Sequence, residues 1–283
     1  MKNSIIILNY NSSTDCRKCI ADLQRQRGID FNIIVVDNAS RPDDVAVLQD
    51  ICAENSVILI KNTHNKGYSA GNNIGLRYAA ESGTEFALIV NPDMEFPNPD
   101  YLITLRKKFD DDNDIVVVAS DILHHDGYHQ NPMKPDRGWK TGFDFLRALT
   151  KRSSNFSNVS FMQSQVCEKV SGCCFMIRMD FLQEIGFFDE YPFLYCEEAI
   201  LAAQVKQLAK KMFYIAEVQA IHNHIKNTKS NAVRRMKEWR RSRIYFQKKY
   251  AKDNFFFYIL GYFLLHVYFF ALISAKFRKQ LWK

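Results

Sequence analysis

The strongest constraint on this chain is an alternation. Short apolar, β-branched runs at residues 4–8, 33–36, 57–60, 86–90 and 116–119 are separated by helix-period stretches near residues 14–26, 43–54, 70–81 and 99–109. Strands that are apolar along their whole length are buried on both faces, and amphipathic helices between them supply the cover. The pattern predicts an α/β fold with a mainly parallel sheet flanked by helices. Hydrophobic residues make up 47% of the 283 and charged residues 24%, which excludes a disordered chain and allows one large domain or a domain with an appendage. No internal repeat competes with this reading.

The rhythm breaks across residues 121–165, where histidines, prolines, glycines and the polar stretch 151–160 predict loops and short elements grafted on the sheet. It resumes with a strand-like run at 170–177, a helix from about 197 to 210 and a strand at 213–215. A basic helical segment, 231–250, then leads into a tail, 254–275, that carries no formal charge. About 20 apolar residues suffice to cross a bilayer as a helix. Lys248, Lys249 and Lys252 before the tail, with Lys276, Arg278 and Lys279 after it, also suit a helix lying at a lipid surface. Residues 1–230 are assigned to the main domain. Residues 231–283 are assigned to a basic helix and a hydrophobic, membrane-associating segment, peripheral or single-span.

Seven scattered cysteines, an odd number, do not form a disulfide scaffold. Cys16 and Cys19 fall inside a helical pattern and Cys173-Cys174 inside an apolar run, so packed free thiols and a reducing, cytoplasmic compartment are expected. Met1-Lys2-Asn3 leads straight into a strand, too short a start for a signal peptide. The net charge of +7 comes with no nucleic-acid recognition motif. An anionic membrane face or phosphate-bearing substrates account for it.

In open α/β sheets, ligands bind beyond the carboxyl ends of the strands. The first run ends in Asn9-Tyr10-Asn11, the second in Asp37-Asn38, and the third in Asn62 followed by Asn65-Lys66-Gly67. The fourth ends in Asn91-Pro92-Asp93. A single Asp after a strand usually closes a turn, but four consecutive strands ending this way predict a binding cleft.

The segments IIILNYN, IIVVDNAS, NKGYSAGNNIGL, ALIVNPDMEF, VSGCCFMIRMDFLQEIGFFDE, FLYCEE and AIHNH follow one another in an order that resembles glycosyltransferase family 2, over roughly residues 3–250. The likeness is to the branch that builds bacterial cell-surface polysaccharides, with many rhamnosyl- and hexosyltransferases. It implies a GT-A fold, inverting transfer from a nucleotide-sugar donor, and a divalent cation, Mg²⁺ or Mn²⁺. By this resemblance Asp37 accepts the imide N–H of uracil or thymine, favouring UDP- or dTDP-sugars, although closing the turn at Asn38-Ala39-Ser40 is its plainer role. Asn91-Pro92-Asp93 stands where the family has its D-x-D motif, so Asp93 is the expected metal ligand. Asn91 replaces the first acidic residue. Asn9, Asn65, Gly67, Gly71, Asn72 and Asn73 fall at donor-binding positions, where glycine and a helix start admit a phosphate. Helix initiation alone also explains them. His222, with His224 as its rival, matches a second metal or diphosphate contact.

The base is the most consequential assignment. The family's acidic pair after F-x-x-Y is Glu197-Glu198 here, which puts Glu198 at the base position and leaves Glu197 to the acceptor or the helix start. The family's further acidic residue is Ile200 in this chain. Asp189 matches a position near the acceptor, or serves a turn. Arg241 and Arg243 reach a phosphate, or lie on an exposed basic face. Together with the apolar tail, the resemblance implies a polyprenyl-diphosphate-linked saccharide acceptor at the cytoplasmic face of the inner membrane, in O-antigen or capsule synthesis. Two alternatives stay open. One is a sugar-phosphate nucleotidyltransferase, which usually has a glycine-rich basic loop where this chain has NYNSSTDCRK. The other is an inactive nucleotide-sugar-binding partner.

Overall fold

The computed structural model describes residues 2–136, 138–141, 160–223 and 232–281. The strands are β1 (Asn3–Asn9), β2 (Asn32–Asp37), β3 (Ile58–Lys61), β4 (Phe86–Val90), β5 (Met94–Glu95), β6 (Ile115–His124), β7 (Gln165–Cys167), β8 (Cys174–Arg178) and β9 (Lys211–His222). The helices are α1 (Ser13–Gln24), α2 (Pro42–Glu54), α3 (Tyr68–Glu81), α4 (Tyr101–Lys107), α5 (Met179–Glu184), α6 (Glu197–Gln207), α7 (Ala232–Lys249) and α8 (Phe255–Leu281).

One nine-stranded sheet runs in the order β3-β2-β1-β4-β8-β6-β9-β5, with β7 beside β9. β1 to β4 are parallel; β8 enters antiparallel between β4 and β6, and β9 lies parallel to β6. The fold is α/β with a mainly parallel sheet, and its apolar strands are buried on both faces. Ile5, Ile7 and Val35 pack against Cys16, Ile20 and Leu23 of α1 and Leu48 and Ile51 of α2. Ile6, Ile34 and Val36 point the other way, towards Leu76 and Ala79 of α3 and Leu201 and Val205 of α6. The period-2 alternation of the strands thus fills two cores at once. All seven cysteines are free and buried in these layers.

The strands in the second half are longer than the sequence pattern indicates. β6 continues past 119 to His124, and β9 runs from Lys211 to His222 rather than only through 213–215. Each extension carries polar residues on the sheet, Ser120 and Asp121 in β6 and Glu217 and Gln219 in β9, which hide the strand from a hydrophobicity reading. Both are needed to bring His222 to the carboxyl edge of β4.

α3 starts where two backbones nearly touch. Gly67 has φ of 101°, and a Cβ there would sit 2.2 Å from the Phe193 carbonyl oxygen. The Tyr68 amide donates to that same oxygen at 3.0 Å. At Gly71 a Cβ would meet Leu8 Cδ1 at 2.5 Å, so glycine lets the first turn of α3 lie tight on the sheet.

α7 is latched to the main domain by two charged clusters. Asp189 accepts hydrogen bonds from Tyr245 Oη at 2.7 Å, Lys249 Nζ at 2.8 Å, Tyr250 Oη at 2.5 Å and the Tyr191 amide at 3.0 Å. This is a structural anchor combined with the expected turn, and Asp189 also lines the cavity that Glu197 and Glu198 border. Arg243 is buried, paired with Asp136, which also holds Lys169 Nζ at 2.7 Å. It therefore does not lie on an exposed basic face; Arg241 does, over the Tyr191 ring. α8 packs its inner side through Leu264, Leu265 and Phe269, which are buried, and stacks Phe257 on Trp139 at 4.6 Å. Among the described residues, no helix is long and apolar enough to cross a membrane, so the single-span alternative finds no support. The expected boundary at 230/231 lies outside the described residues.

Two outcomes test this packing. Gly67→Ala combines a left-handed backbone with a clash against main chain and should cost more than about 3 kcal/mol. Gly83→Ala, also at positive φ but facing open space, should cost only about 1 kcal/mol; equal losses in urea denaturation would remove the close approach as the reason. For Asp189, burial pushes the carboxyl up, but Lys249, Tyr250, Tyr191 and Tyr245 outweigh it and hold it at about 2, below its usual 3.8. A depressed pKa contributes stability that is complete above the unfolded value and lost as pH falls from 3.8 through about 2. Wild type should therefore lose stability more steeply across that window than Asp189→Asn, whose curve is flatter and lower at neutral pH. Parallel curves would show that the latch carries no such linkage.

Candidate active site

The carboxyl ends of β2, β1 and β4 lie side by side and gather Asp37, Asn9 and Asn91-Pro92-Asp93 on one edge. Register places Asn9 opposite Asp37, and the Asn9 amide donates to Asp37 Oδ1 at 3.1 Å and to Asp44 Oδ2 at 2.9 Å. Asn9 is 0% exposed and Asp37 2%. Asn9 thus acts as a clamp between two carboxylates. Asp37 Oδ2 accepts the Ser40 amide at 3.2 Å, so the turn-closing role is also made. A carboxylate offers about four acceptor sites, and capacity remains for a further N–H.

Amides knit the neighbouring strand end to α3. Asn65 Oδ1 accepts from the Gly67 amide at 2.9 Å and from Asn38 Nδ2 at 3.1 Å. Asn72 is fully buried and donates to the Tyr68 carbonyl at 3.0 Å. Asn73 holds both the amide and the carbonyl of Phe188. The backbone that Gly67 approaches is that of Phe193, in the segment leading to Glu197 and Glu198. These contacts make the loop a brace between the donor edge and the acidic pair.

At the end of β4, the Asn91 amide donates to the Cys173 carbonyl at 2.8 Å. β5 pairs with β9 so that Met94 faces His222, and the Asn223 amide donates to the Asp93 carbonyl at 2.9 Å. Asp93 Oδ1 then lies 3.2 Å from His222 Nε2. Gln130 Oε1 sits 3.0 Å from His222 Nδ1 and accepts its proton. This contact orients the ring and turns Nε2 towards the carboxylate. Two basic atoms at that distance suit a shared cation, and an imidazole with a carboxylate is a donor set that Mn²⁺ or Mg²⁺ accepts. His224 lies outside the described residues.

Asp15, in the first turn of α1, is a further carboxylate at this edge. Burial raises its pKa, and the Asp93 charge raises it further. Among the described residues, His124, His125 and Asp126 also bring ligand atoms within 4.8 Å of one another. His124 faces His222 across β6 and β9 with ring centroids 6.1 Å apart.

Glu197 and Glu198 open α6 directly after Tyr195 (φ 74°) and Cys196 (φ 73°), two consecutive left-handed residues. L-residues adopt that conformation at an energetic cost, and such strain clusters at functional sites. The turn delivers Glu198 to the segment before β8, where the Gly172 amide points at its Oε1, 3.4 Å away. Tyr68 of α3 supports the segment from below by donating to the Gly172 carbonyl. Burial pushes the Cys173 thiol up, and the nearby Cys174, Asp93 and Glu198 groups push it further.

The two glutamates are not equivalent. Glu197 faces a small cavity whose walls include Tyr68, Val170, Phe175, Phe188, Leu201 and Gln204. Burial, and then the Glu198 charge, push Glu197 up to about 8. Glu197 Oε1 and Gln204 Oε1 are both buried without a hydrogen-bond partner. A neutral Glu197 is a donor, and an unpartnered amide oxygen in the same cavity is an acceptor it can reach through water. The shift favours the protonated form of Glu197.

Asn91 and Glu198 thus contact the Gly172–Cys173 segment, Glu197 shares a cavity wall with Gly172, and Asp93, with His222 beside it, follows Asn91 by two residues. Asn9 and Asp37 lie on the same edge one and two strands from β4, about 5 and 10 Å away at the usual strand spacing. Sequence reading missed Gln130, Tyr68, Asp15 and Gln204. None stands at a strand end; Gln130, Tyr68 and Asp15 meet groups distant in the chain, and Gln204 shares the Glu197 cavity from further along α6.

This architecture defines a class before any sequence is compared. A mannosyltransferase from Pyrobaculum calidifontis, PcManGT, solved in complex with GDP-Man and Mn²⁺, aligns with a TM-score of 0.62 at 14% identity, over 97% of this chain and 74% of that one. The fold is GT-A. In sequence, residues 4–186 match glycosyl transferase family 2, and the chain belongs to that family. The low-salt glycan biosynthesis hexosyltransferase Agl10 of Haloferax volcanii is 29% identical over 224 residues, 78% of this chain and 66% of that protein. The O-antigen chain rhamnosyltransferase WbaN of Salmonella anatum is 24% identical over 223 residues, with the same coverage of 78% and 66%. The chain spans just under two thirds of the length of these relatives.

The protonation of the acidic pair is open to measurement. Infrared difference spectra of the wild type should contain a neutral carboxyl band that disappears as pH rises through about 8, and Glu197→Gln should lack it. A band that persists in Glu197→Gln, or its absence from wild type at pH 7, would reassign the proton.

Proposed function

We propose that this chain is an inverting glycosyltransferase that moves a rhamnosyl or hexosyl group from a UDP- or dTDP-sugar to a hydroxyl of a lipid-linked saccharide. Such a step belongs to the assembly of a cell-surface polysaccharide such as O-antigen or capsule, at the cytoplasmic face of the plasma (inner) membrane. Family membership supports the reaction class, and the hexosyl- and rhamnosyltransferase relatives support the kind of sugar. The observation that carries the reading is that the Asp93–His222 pair and Glu198 flank a single two-residue segment, Gly172–Cys173.

Asp37 receives the imide N–H of the base with the acceptor capacity that Asn9 and Ser40 leave. Asn9, Asn65, Gly67, Asn72 and Asn91 shape the donor edge. Asp93 and His222 would hold Mg²⁺ or Mn²⁺, which would supply neutralisation of charge on the leaving diphosphate. The acceptor oxygen bonds to the anomeric carbon on the face opposite the breaking carbon–oxygen bond, which inverts that centre. The hydroxyl proton passes to Glu198, and the electrons of the broken bond leave on the diphosphate. Glu197, already carrying a proton, leaves Glu198 as the acceptor of the next one.

The test is transfer by purified protein across a panel of UDP- and dTDP-sugars, with Mg²⁺ or Mn²⁺ and a synthetic polyprenyl-diphosphate-linked saccharide. Glu198→Gln should lower transfer by about 10²- to 10⁴-fold with donor binding retained. Asp93→Asn should weaken donor binding and abolish its response to the cation. Transfer at the wild-type rate by Glu198→Gln would remove it as the base.

A further inference from the structure

The last helix has two apolar faces, and among the described residues only one of them packs on the protein. Leu264, Leu265 and Phe269 are buried on the inner side, Gly261 abuts Gln247 of α7, and Phe257 stacks on Trp139. On the outer side Phe256, Ile259, Phe263, Val267 and Phe270 recur at spacings of three and four residues, which places them in one stripe along the helix. Phe256 is 70% exposed, Phe263 62% and Phe270 61%. Continuous apolar surface of this kind marks an interaction face.

The neighbouring helix indicates what that face meets. α7 and α8 lie side by side, with Trp239 against Tyr268 and Arg240 over the Phe269 ring. α7 contains eight Lys or Arg and one Glu. Its surplus equals the +7 of the whole chain, so the rest of the molecule is balanced and the positive charge is concentrated here. Arg234, Arg235, Lys237, Arg241 and Lys248 are exposed. Two copies joined through the stripe would bring two such helices together, and like charges oppose that association. A surface of anionic headgroups over hydrocarbon complements both features.

We propose that α7 and α8 form a docking face for a bilayer carrying anionic lipids, with the outer stripe of α8 lying along the surface and the cations of α7 among the headgroups. The stripe enters the interface while the inner face stays on the protein, an arrangement distinct from a span. α7 also reaches the acidic pair. Ser242 Oγ donates to the Leu194 carbonyl at 2.8 Å, and Arg243 Nη1 lies 3.6 Å from Cys196 Sγ. Docking therefore holds the turn that presents Glu198 close to the lipid surface. The binding itself does not depend on the reaction assigned above.

The full chain is tested by co-sedimentation with vesicles of phosphatidylcholine alone and of phosphatidylcholine with phosphatidylglycerol. Wild type should pellet with the anionic vesicles, weakly with the neutral ones, and less as salt rises. Phe256→Ser/Phe263→Ser/Phe270→Ser, with its thermal melt checked against wild type, should bind at least tenfold more weakly. Arg234→Gln/Arg235→Gln/Lys237→Gln leaves the stripe intact and should lose the preference for anionic vesicles, which keeps the test decisive if the first variant fails to fold. Wild type remaining in the supernatant, or binding unchanged in the folded variants, overturns the proposal. So does a wild-type dimer that the stripe variant turns into a monomer, since the occupant would then be a second copy. Bound protein that resists an alkaline carbonate wash overturns the surface orientation.

Discussion

The hydrogen bond from the Asn91 amide to the Cys173 carbonyl joins the last parallel strand of the first half to the antiparallel strand that follows the irregular region. It is one bond of ordinary length, yet it brings together parts of the chain far apart in sequence. On one side of it β4 ends in Asp93; on the other, Gly172 meets Glu198. Without β8 inserted between β4 and β6, the carboxyl edge would stop at Asp93 and the acidic pair would have no wall to face. The antiparallel insertion is the feature that converts an open α/β edge into a two-sided cleft.

Such a cleft sets acidic groups against one another. Asp15 is raised by burial and then by Asp93, and Glu197 by burial and then by Glu198. Buried like charges are unstable unless a cation or a proton intervenes. The two ends of the site resolve this differently. At Asp93 a histidine Nε2 stands beside the carboxylate, a donor set suited to a metal ion; at Glu197 the shift favours the protonated acid. The consecutive left-handed residues Tyr195 and Cys196 add backbone strain at the same place. Rigid contacts maintain it: Gly67 against Phe193, Ser242 on Leu194 and Arg243 beside Cys196.

The first four strands were legible because each is apolar from end to end, a pattern that only burial on both faces explains. Their polar termini were equally legible, and Asn9, Asp37 and Asp93 do share an edge. The limits of β6 and β9 were not legible, because Asp121 and Gln219 bond to each other across the sheet and look like loop residues when read singly. The burial of Arg243 was not legible for a related reason, since its partner precedes it by over a hundred residues, and the anchoring of Asp189 by Tyr245 and Lys249 of α7 is equally remote in sequence. Gln130 was invisible because its role is to turn a histidine ring, which leaves no local pattern. Local periodicity reports burial; it does not report which distant group satisfies a charge.

The placement of α7 follows from the same satisfaction rule. Its exposed side carries unbalanced positive charge, while its inner side inserts Arg243 between Asp136 and Cys196. There burial pushes the Asp136 carboxyl up, but Arg243 and Lys169 outweigh it and hold it below its ordinary range. A buried guanidinium is tolerated only where its partner is fixed, and breaking one side of such a pair costs about 3–5 kcal/mol. α7 therefore cannot slide along its axis or rotate without unpairing that cluster and releasing Asp189. Any force on its outer surface is transmitted to Leu194 and Cys196 as a rigid displacement. The position of the turn that bears Glu198 and the position of the outer basic face are thus coupled through the Arg243–Asp136 ion pair.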